Sequence, residues 1–220
     1  MNKTKKIGIV LCLLISIILF LTLLFLIVTK NDYVLNTDNY VAQMFFEHRT
    51  RLLDYLFVII SYMGETLTIA VLCVILLLLP SRKQIGLPVT ILTVISVAIN
   101  FAIKIIVARQ RPESLFLTQN TLGYKMPNGY SFPSGHAQTA NLFYFALSFC
   151  ILNNIRKKWT RIFLIVLTSF FCLFVCLARV YLCVHFLTDV LCGLCIMITL
   201  FCTFVLIKEK YLKHLFYASE

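Results

Sequence analysis

The sequence predicts an all-α polytopic membrane protein with six transmembrane helices plus short outer-face helices, and three observations predict it. Apolar residues make up 60% of the 220 residues and the mean hydropathy is +0.92, whereas a soluble domain is roughly 45–50% apolar. Long apolar runs recur, each near the about 20 residues a helix needs to cross roughly 30 Å of hydrocarbon. Lysine and arginine also divide unevenly between the connections that join those runs.

The first run, Ile7 to Thr29, is too long and uninterrupted for a signal-peptide core, and no small-residue cleavage site follows it, so it reads as a retained span. An outward segment from Lys30 to Glu65 comes next, polar at first and then running through Tyr40 to Arg49. It ends in Leu52 to Met63, whose about 12 residues make about 18 Å of helix, too short to cross. That piece is expected to lie along or dip into the outer leaflet, with Gly64 breaking it from the following span. The remaining spans are Thr66 to Leu79, Leu87 to Ala108, His136 to Leu152, Ile162 to Ala178, and Asp189 to Ile207. Between the third and fourth, Arg109 to Pro133 contains the turn formers Gly123, Pro127, Asn128 and Gly129, and is expected to fold as a loop over the polar residues that end the spans.

The formal net charge of +11 would suggest a nucleic-acid partner in a soluble protein. In a membrane protein the informative quantity is its distribution. One side receives twelve cations: Lys3, Lys5, Lys6, Arg82, Lys83, Arg156, Lys157, Lys158, Arg161, Lys208, Lys210 and Lys213. The other receives seven, Lys30, Arg49, Arg51, Arg109, Arg111, Lys125 and Arg179, while Lys104 lies inside a span. The positive-inside rule then puts both termini in the cytoplasm and the loops holding His136 and His185 outside. The bilayer, not nucleic acid, is the expected partner. No internal repeat or linker divides the chain, so residues 1–220 are expected to form one domain. Eight of nine cysteines fall inside apolar runs, where cysteine behaves as a small hydrophobe. Cys192 and Cys195 form a lone C-x-x-C without a second pair or a histidine at zinc spacing, which argues against a metal site.

Three polar groups stand at outward span ends. Lys104 and Arg111 are seven apart, about two helical turns, and on a continuing helix would share a face until Pro112 stops it. An ionised lysine inside a span must snorkel or find a partner. Ser134-Gly135-His136 follows Pro133 and opens an apolar helix, whose unpaired N–H groups and dipole favour an anion. Gly135 permits close backbone approach and Ser134 offers a hydroxyl, although Ser134 can equally be a simple helix cap. Arg179, His185 and Asp189 form the third group. On a helical turn the Asp189 carboxylate would accept Nδ1–H of His185 and leave Nε2 free to attack. The plainer alternative is an interfacial histidine followed by an acidic residue favoured by the helix dipole. Cations beside imidazoles suit one task above others, holding a phosphate while a histidine attacks it.

With these residues in view, the chain resembles the type 2 phosphatidic acid phosphatase superfamily, whose motifs read Lys-x6-Arg-Pro, Pro-Ser-Gly-His and Ser-Arg-x5-His-x3-Asp. The matching stretches are 104–112, 133–136 and 179–189, with Ala178 where the third motif opens on serine. The resemblance implies that Lys104, Arg111, Ser134, Gly135 and Arg179 bind the phosphoryl group. It implies that His185 is the nucleophile, oriented by Asp189, and that His136 serves first as acid and then as base. It implies no cofactor and no metal. The implied substrate is a lipid phosphate or diphosphate at the outer face, with undecaprenyl diphosphate favoured and phosphatidic acid or phosphatidylglycerophosphate as alternatives. A lipid phosphotransferase would use the same residues. A non-catalytic lipid-phosphate transporter or binding protein would more typically carry broken helices at the bilayer midplane, whereas here the polar residues cluster at one end.

Overall fold

A computed structural model describes residues 2–112, 123–152 and 154–211. Residues 113–122 of the segment expected to form a loop, and Lys213 of the C-terminal basic cluster, lie outside the described residues. The described residues are helical, without strands: α1 (Lys3–Val28), α2 (Asp32–Glu47), α3 (Arg51–Met63), α4 (Thr66–Leu78), α5 (Gly86–Val107), α6 (Asn141–Leu152), α7 (Lys158–Tyr181) and α8 (Leu187–Tyr211). A bilayer leaves no water to satisfy backbone groups, so a chain this apolar satisfies them within helices.

Four helices, α1, α5, α7 and α8, are each long and apolar enough to cross a membrane, and the chain is a multi-pass membrane protein. A fifth is reached where α3 and α4, bent by 45° at Gly64 and Glu65, act together. The break expected at Gly64 exists, and by length and composition the pair is either one bent span or a piece that dips into the membrane and returns. The run His136 to Leu152 begins as a π-helical turn, His136–Ala140, and continues as α6. Its 17 residues are about 25 Å of helix. The fifth expected span, Ile162 to Ala178, runs from Lys158 to Tyr181, and its C-terminal growth follows from Arg179 and Tyr181 being buried against neighbours and not held at an interface.

Local signals set α2 and α3. Asn31 caps α2 by accepting from the Val34 N–H, and Thr50 caps α3 by accepting from the Leu53 N–H. Helix α1 runs along α8, where Ser16 Oγ and Thr199 Oγ1 are 2.9 Å apart, while α3 packs on α7. Close approach of α8 to the π-turn depends on Gly193, since a Cβ there would stand 2.7 Å from the Ser134 carbonyl oxygen. Small residues let membrane helices approach where no hydrophobic drive operates between them. The C-terminal ends of α3, α5 and α7 and the starts of the π-turn and α8 thus meet at one end of the bundle. An apolar cluster of Ile69, Val89, Leu92, Leu142, Phe143 and Met197 packs α4, α5, α6 and α8 together.

Candidate active site

Lys104 and Arg111 do meet, but not on one helical face. Helix α5 stops at Val107, and Ala108 takes a left-handed conformation (φ 50°, ψ 34°), so the chain turns away four residues before Pro112. The Arg111 side chain then returns from the loop. Lys104 Nζ and Arg111 Nη2 both donate to the Tyr130 carbonyl, at 2.6 and 3.2 Å. Arg111 is fixed further by the carbonyls of Gly129 (2.9 Å) and Val184 (2.7 Å).

His185 sits in the connection between α7 and α8, buried at 2% exposure. Its Nε2 is 3.3 Å from Arg111 Nη1. A guanidinium can only donate, so Nε2 presents its lone pair there and the neutral ring carries its hydrogen on Nδ1. Burial, followed by the charges of Arg179, Arg111 and Lys104, holds the His185 pKa well below the usual histidine value. The ring is neutral at physiological pH.

His136 opens the π-turn, and its Nε2 lies 3.1 Å from the Ser61 carbonyl. A carbonyl only accepts, so Nε2 carries a hydrogen and Nδ1 is left for proton traffic. Gly64, at the end of α3, permits this placement: a Cβ there would come within 2.7 Å of His136 Cδ2. Ser61 also serves Arg179, whose Nη1 donates to Ser61 Oγ and to Tyr124 OH, the latter at 2.6 Å. Arg179 is 1% exposed, and its Nε has no hydrogen-bond partner among the described residues. Ser134 occupies the start of the π-turn, with its N–H on the Asp189 carbonyl (3.0 Å) and its Oγ accepting from the Ala137 N–H (3.5 Å). Behind Gly135, Asn100 Nδ2 donates to the Pro133 carbonyl (3.3 Å) and to Gln138 Oε1 (2.9 Å), tying the turn to α5.

Asp189 differs from the arrangement expected of it. His185 lies outside α8 and Asp189 in its first turn, and Oδ2 stands 3.7 Å from Nδ1, beyond a direct hydrogen bond. Oδ2 instead accepts from the Phe186 N–H (2.9 Å) and from the Ser131 hydroxyl. Oδ1 accepts from Arg109 Nη1 at 2.7 Å, and Arg109 Nη2 reaches Asp38 Oδ2 at 2.7 Å. Asp38, on α2 and 1% exposed, also accepts from the N–H and hydroxyl of Thr188. Burial alone would lower the Arg109 pKa, but the carboxylates of Asp189 and Asp38 outweigh it and raise the value. Arg109 is thereby a tie between two carboxylates.

The structure thus brings Lys104, Arg111, Ser134, Gly135, His136, Arg179, His185 and Asp189 to one end of the bundle. The residues not anticipated are Asp38, Ser61, Gly64, Asn100, Tyr124 and Ser131. Only Gly64 gave a local signal, as a break between apolar runs. The others are ordinary polar residues whose partners lie far along the chain.

No significant relative is found among curated proteins. Among solved structures, the fold matches the crystal structure of the first transmembrane PAP2 type phosphatidylglycerolphosphate phosphatase from Bacillus subtilis, with a TM-score of 0.77 and 23% sequence identity over 89% of this chain and 96% of that one. A family model described as the PAP2 superfamily matches residues 85–213. Those residues hold all three motifs, and the chain belongs to the PAP2 superfamily.

Proposed function

We propose that this protein is a lipid phosphatase working through a phosphohistidine. The observation that carries the reading is the convergence of Lys104, Arg111 and Arg179 on a buried, neutral His185 whose Nε2 lone pair is exposed to the same cations. In the first step Nε2 attacks phosphorus, a P–N bond forms, and the bond from phosphorus to the leaving oxygen breaks. His136 enters this step as the imidazolium, with one hydrogen kept by the Ser61 carbonyl at Nε2, and gives its Nδ1 proton to the leaving oxygen, ending as the neutral ring that can accept a proton in the next step. In the second step water attacks phosphorus, His136 accepts its proton, and the P–N bond breaks to release phosphate. Charge building on the phosphoryl oxygens is met by the three cations, by the Ser134 hydroxyl and by the Gly135 N–H. A phosphoryl oxygen is also the kind of acceptor that the buried Arg179 Nε–H lacks. These groups can supply the electrostatic role that a metal fills in other phosphoryl-transfer sites.

The proposed substrate is a lipid phosphate or diphosphate whose tail stays in the bilayer, with undecaprenyl diphosphate preferred. The division of basic residues supports an outward-facing site, since the six crossings expected from the sequence would return both termini to the cytoplasmic side where those residues gather. The fold match to a phosphatidylglycerolphosphate phosphatase favours a second reading, in which the lipid is a phosphatidylglycerophosphate. A phosphate-release assay in detergent without added metal separates these, offering undecaprenyl diphosphate, phosphatidic acid and phosphatidylglycerophosphate side by side. Free phosphate appearing without any acceptor lipid distinguishes hydrolysis from phosphotransfer. Release from none of the three substrates would overturn the proposal.

A further inference from the structure

We propose that Ser131 is a positioning residue, through whose hydroxyl the Asp189 carboxylate acts on His185, in place of a direct carboxylate–imidazole contact. The inference rests on His185 being the nucleophile. Four observations lead to it. Ser131 is fully buried and its Oγ donates to Asp189 Oδ2. The same Oγ is 3.4 Å from His185 Nδ1, nearer than Asp189 Oδ2 at 3.7 Å. Asp189 has little freedom to swing toward the ring, because Oδ1 is held by Arg109 and Oδ2 by the Phe186 N–H, while Arg109 is itself held by Asp38. Ser131 is also anchored, its N–H donating to the Arg109 carbonyl at 2.7 Å.

Ser131 offers the ring two acceptors, its backbone carbonyl and its hydroxyl oxygen, and both call for a hydrogen on Nδ1. The single Ser131 hydroxyl hydrogen goes to Asp189, so toward His185 the oxygen accepts, and Nδ1 must donate. With Nδ1 protonated, Nε2 keeps the lone pair that faces Arg111. As His185 gains positive charge during attack, the charge is passed by a polarised hydroxyl to a carboxylate whose own charge is shared with Arg109. A hydroxyl relay is weaker than a direct contact, but it holds the tautomer without letting the carboxylate raise the basicity of the ring as far.

The test uses the full chain in detergent and compares Ser131→Ala, Asp189→Asn and the double variant, with His185→Ala as a reference. Charged and titratable groups around His185 are Lys104 from α5, Arg111 from the loop, Arg179 from α7, His136 from the π-turn and Asp189 from α8. None is altered by Ser131→Ala. The expected result is a kcat about 10- to 100-fold lower with KM within about threefold. The acid limb of kcat/KM should also move to lower pH, since a ring cut off from the carboxylate is harder to protonate. That limb reports only molecules that turn over, so a loss of folded protein does not shift it. In the double variant the rate should lie within about threefold of the slower single variant, as for groups acting in series. Ser131→Cys, similar in size with a weak acceptor, gives the same reading if the alanine variant fails to accumulate. An unmoved limb, or losses that multiply in the double variant, would overturn the relay alone. Turnover persisting in His185→Ala would instead remove the nucleophile on which both readings stand.

Discussion

Two regions build the site in different ways: the matched stretch 85–213 and the segment Asp32 to Gly64 that precedes it. The matched stretch supplies Lys104, Arg109, Arg111, Arg179, His136 and His185. The preceding segment, whose Arg49 pairs with its own Asp54, contributes Asp38 to Arg109, the Ser61 carbonyl to His136, the Ser61 hydroxyl to Arg179, and the space at Gly64 for the His136 ring. The difference separates chemistry from aim. Reactive groups can be named from residue type and spacing, while their orientation comes from neutral or oppositely charged residues on other helices.

That comparison can be broken most sharply at His185. His185→Ala should lower phosphate release by about 10⁴-fold or more, the scale of losing a nucleophile that acts within a unit. The protein should still insert and elute as wild type in detergent. A small loss would mean the matched stretch does not carry the chemistry.

Asp38→Ala probes the other region. It leaves Arg109 with one carboxylate in a buried place, and removing one partner of a buried ion pair costs about 3 kcal/mol. Thermal inactivation in detergent should therefore come at a lower temperature. An unchanged inactivation temperature would show that α2 is not tied to the site through this pair.

Gly64→Ala introduces a Cβ where the His136 ring now lies. A displacement of about 1 Å in a reacting group costs up to about 100-fold in rate, so kcat should fall between 10- and 100-fold on that same scale, with KM changing little. Wild-type kcat in this variant would remove α3 from the alignment of His136.

The smallest effect concerns pH. Burial and three cations from the matched stretch hold the His185 pKa down, so the neutral, attacking form persists below the ordinary histidine value of about 6.5. The acid limb of kcat/KM should accordingly lie below that value, and Arg111→Gln should move it up by removing one opposing charge. A limb at or above about 6.5 in the unaltered protein would show that the cations do not act on this ring.

Much of this molecule can be read from residue order alone. Hydropathy marks α1, α5, α7 and α8 because a lipid-facing helix must be apolar over its whole length, which is a local property. The three motifs identify Lys104, Arg111, His136, Arg179, His185 and Asp189 because their residue types are costly at a membrane unless they serve a purpose. Spacing is less dependable about contact. It put Lys104 and Arg111 on one helix face and Asp189 directly against His185, and the left-handed turn at Ala108 and the hydroxyl of Ser131 alter both. Asp38 meets Arg109 across 71 positions and Ser61 meets Arg179 across 118. Such pairings leave no periodic trace in the sequence, since they arise only when helices distant in sequence pack and buried polar groups take the partners within reach.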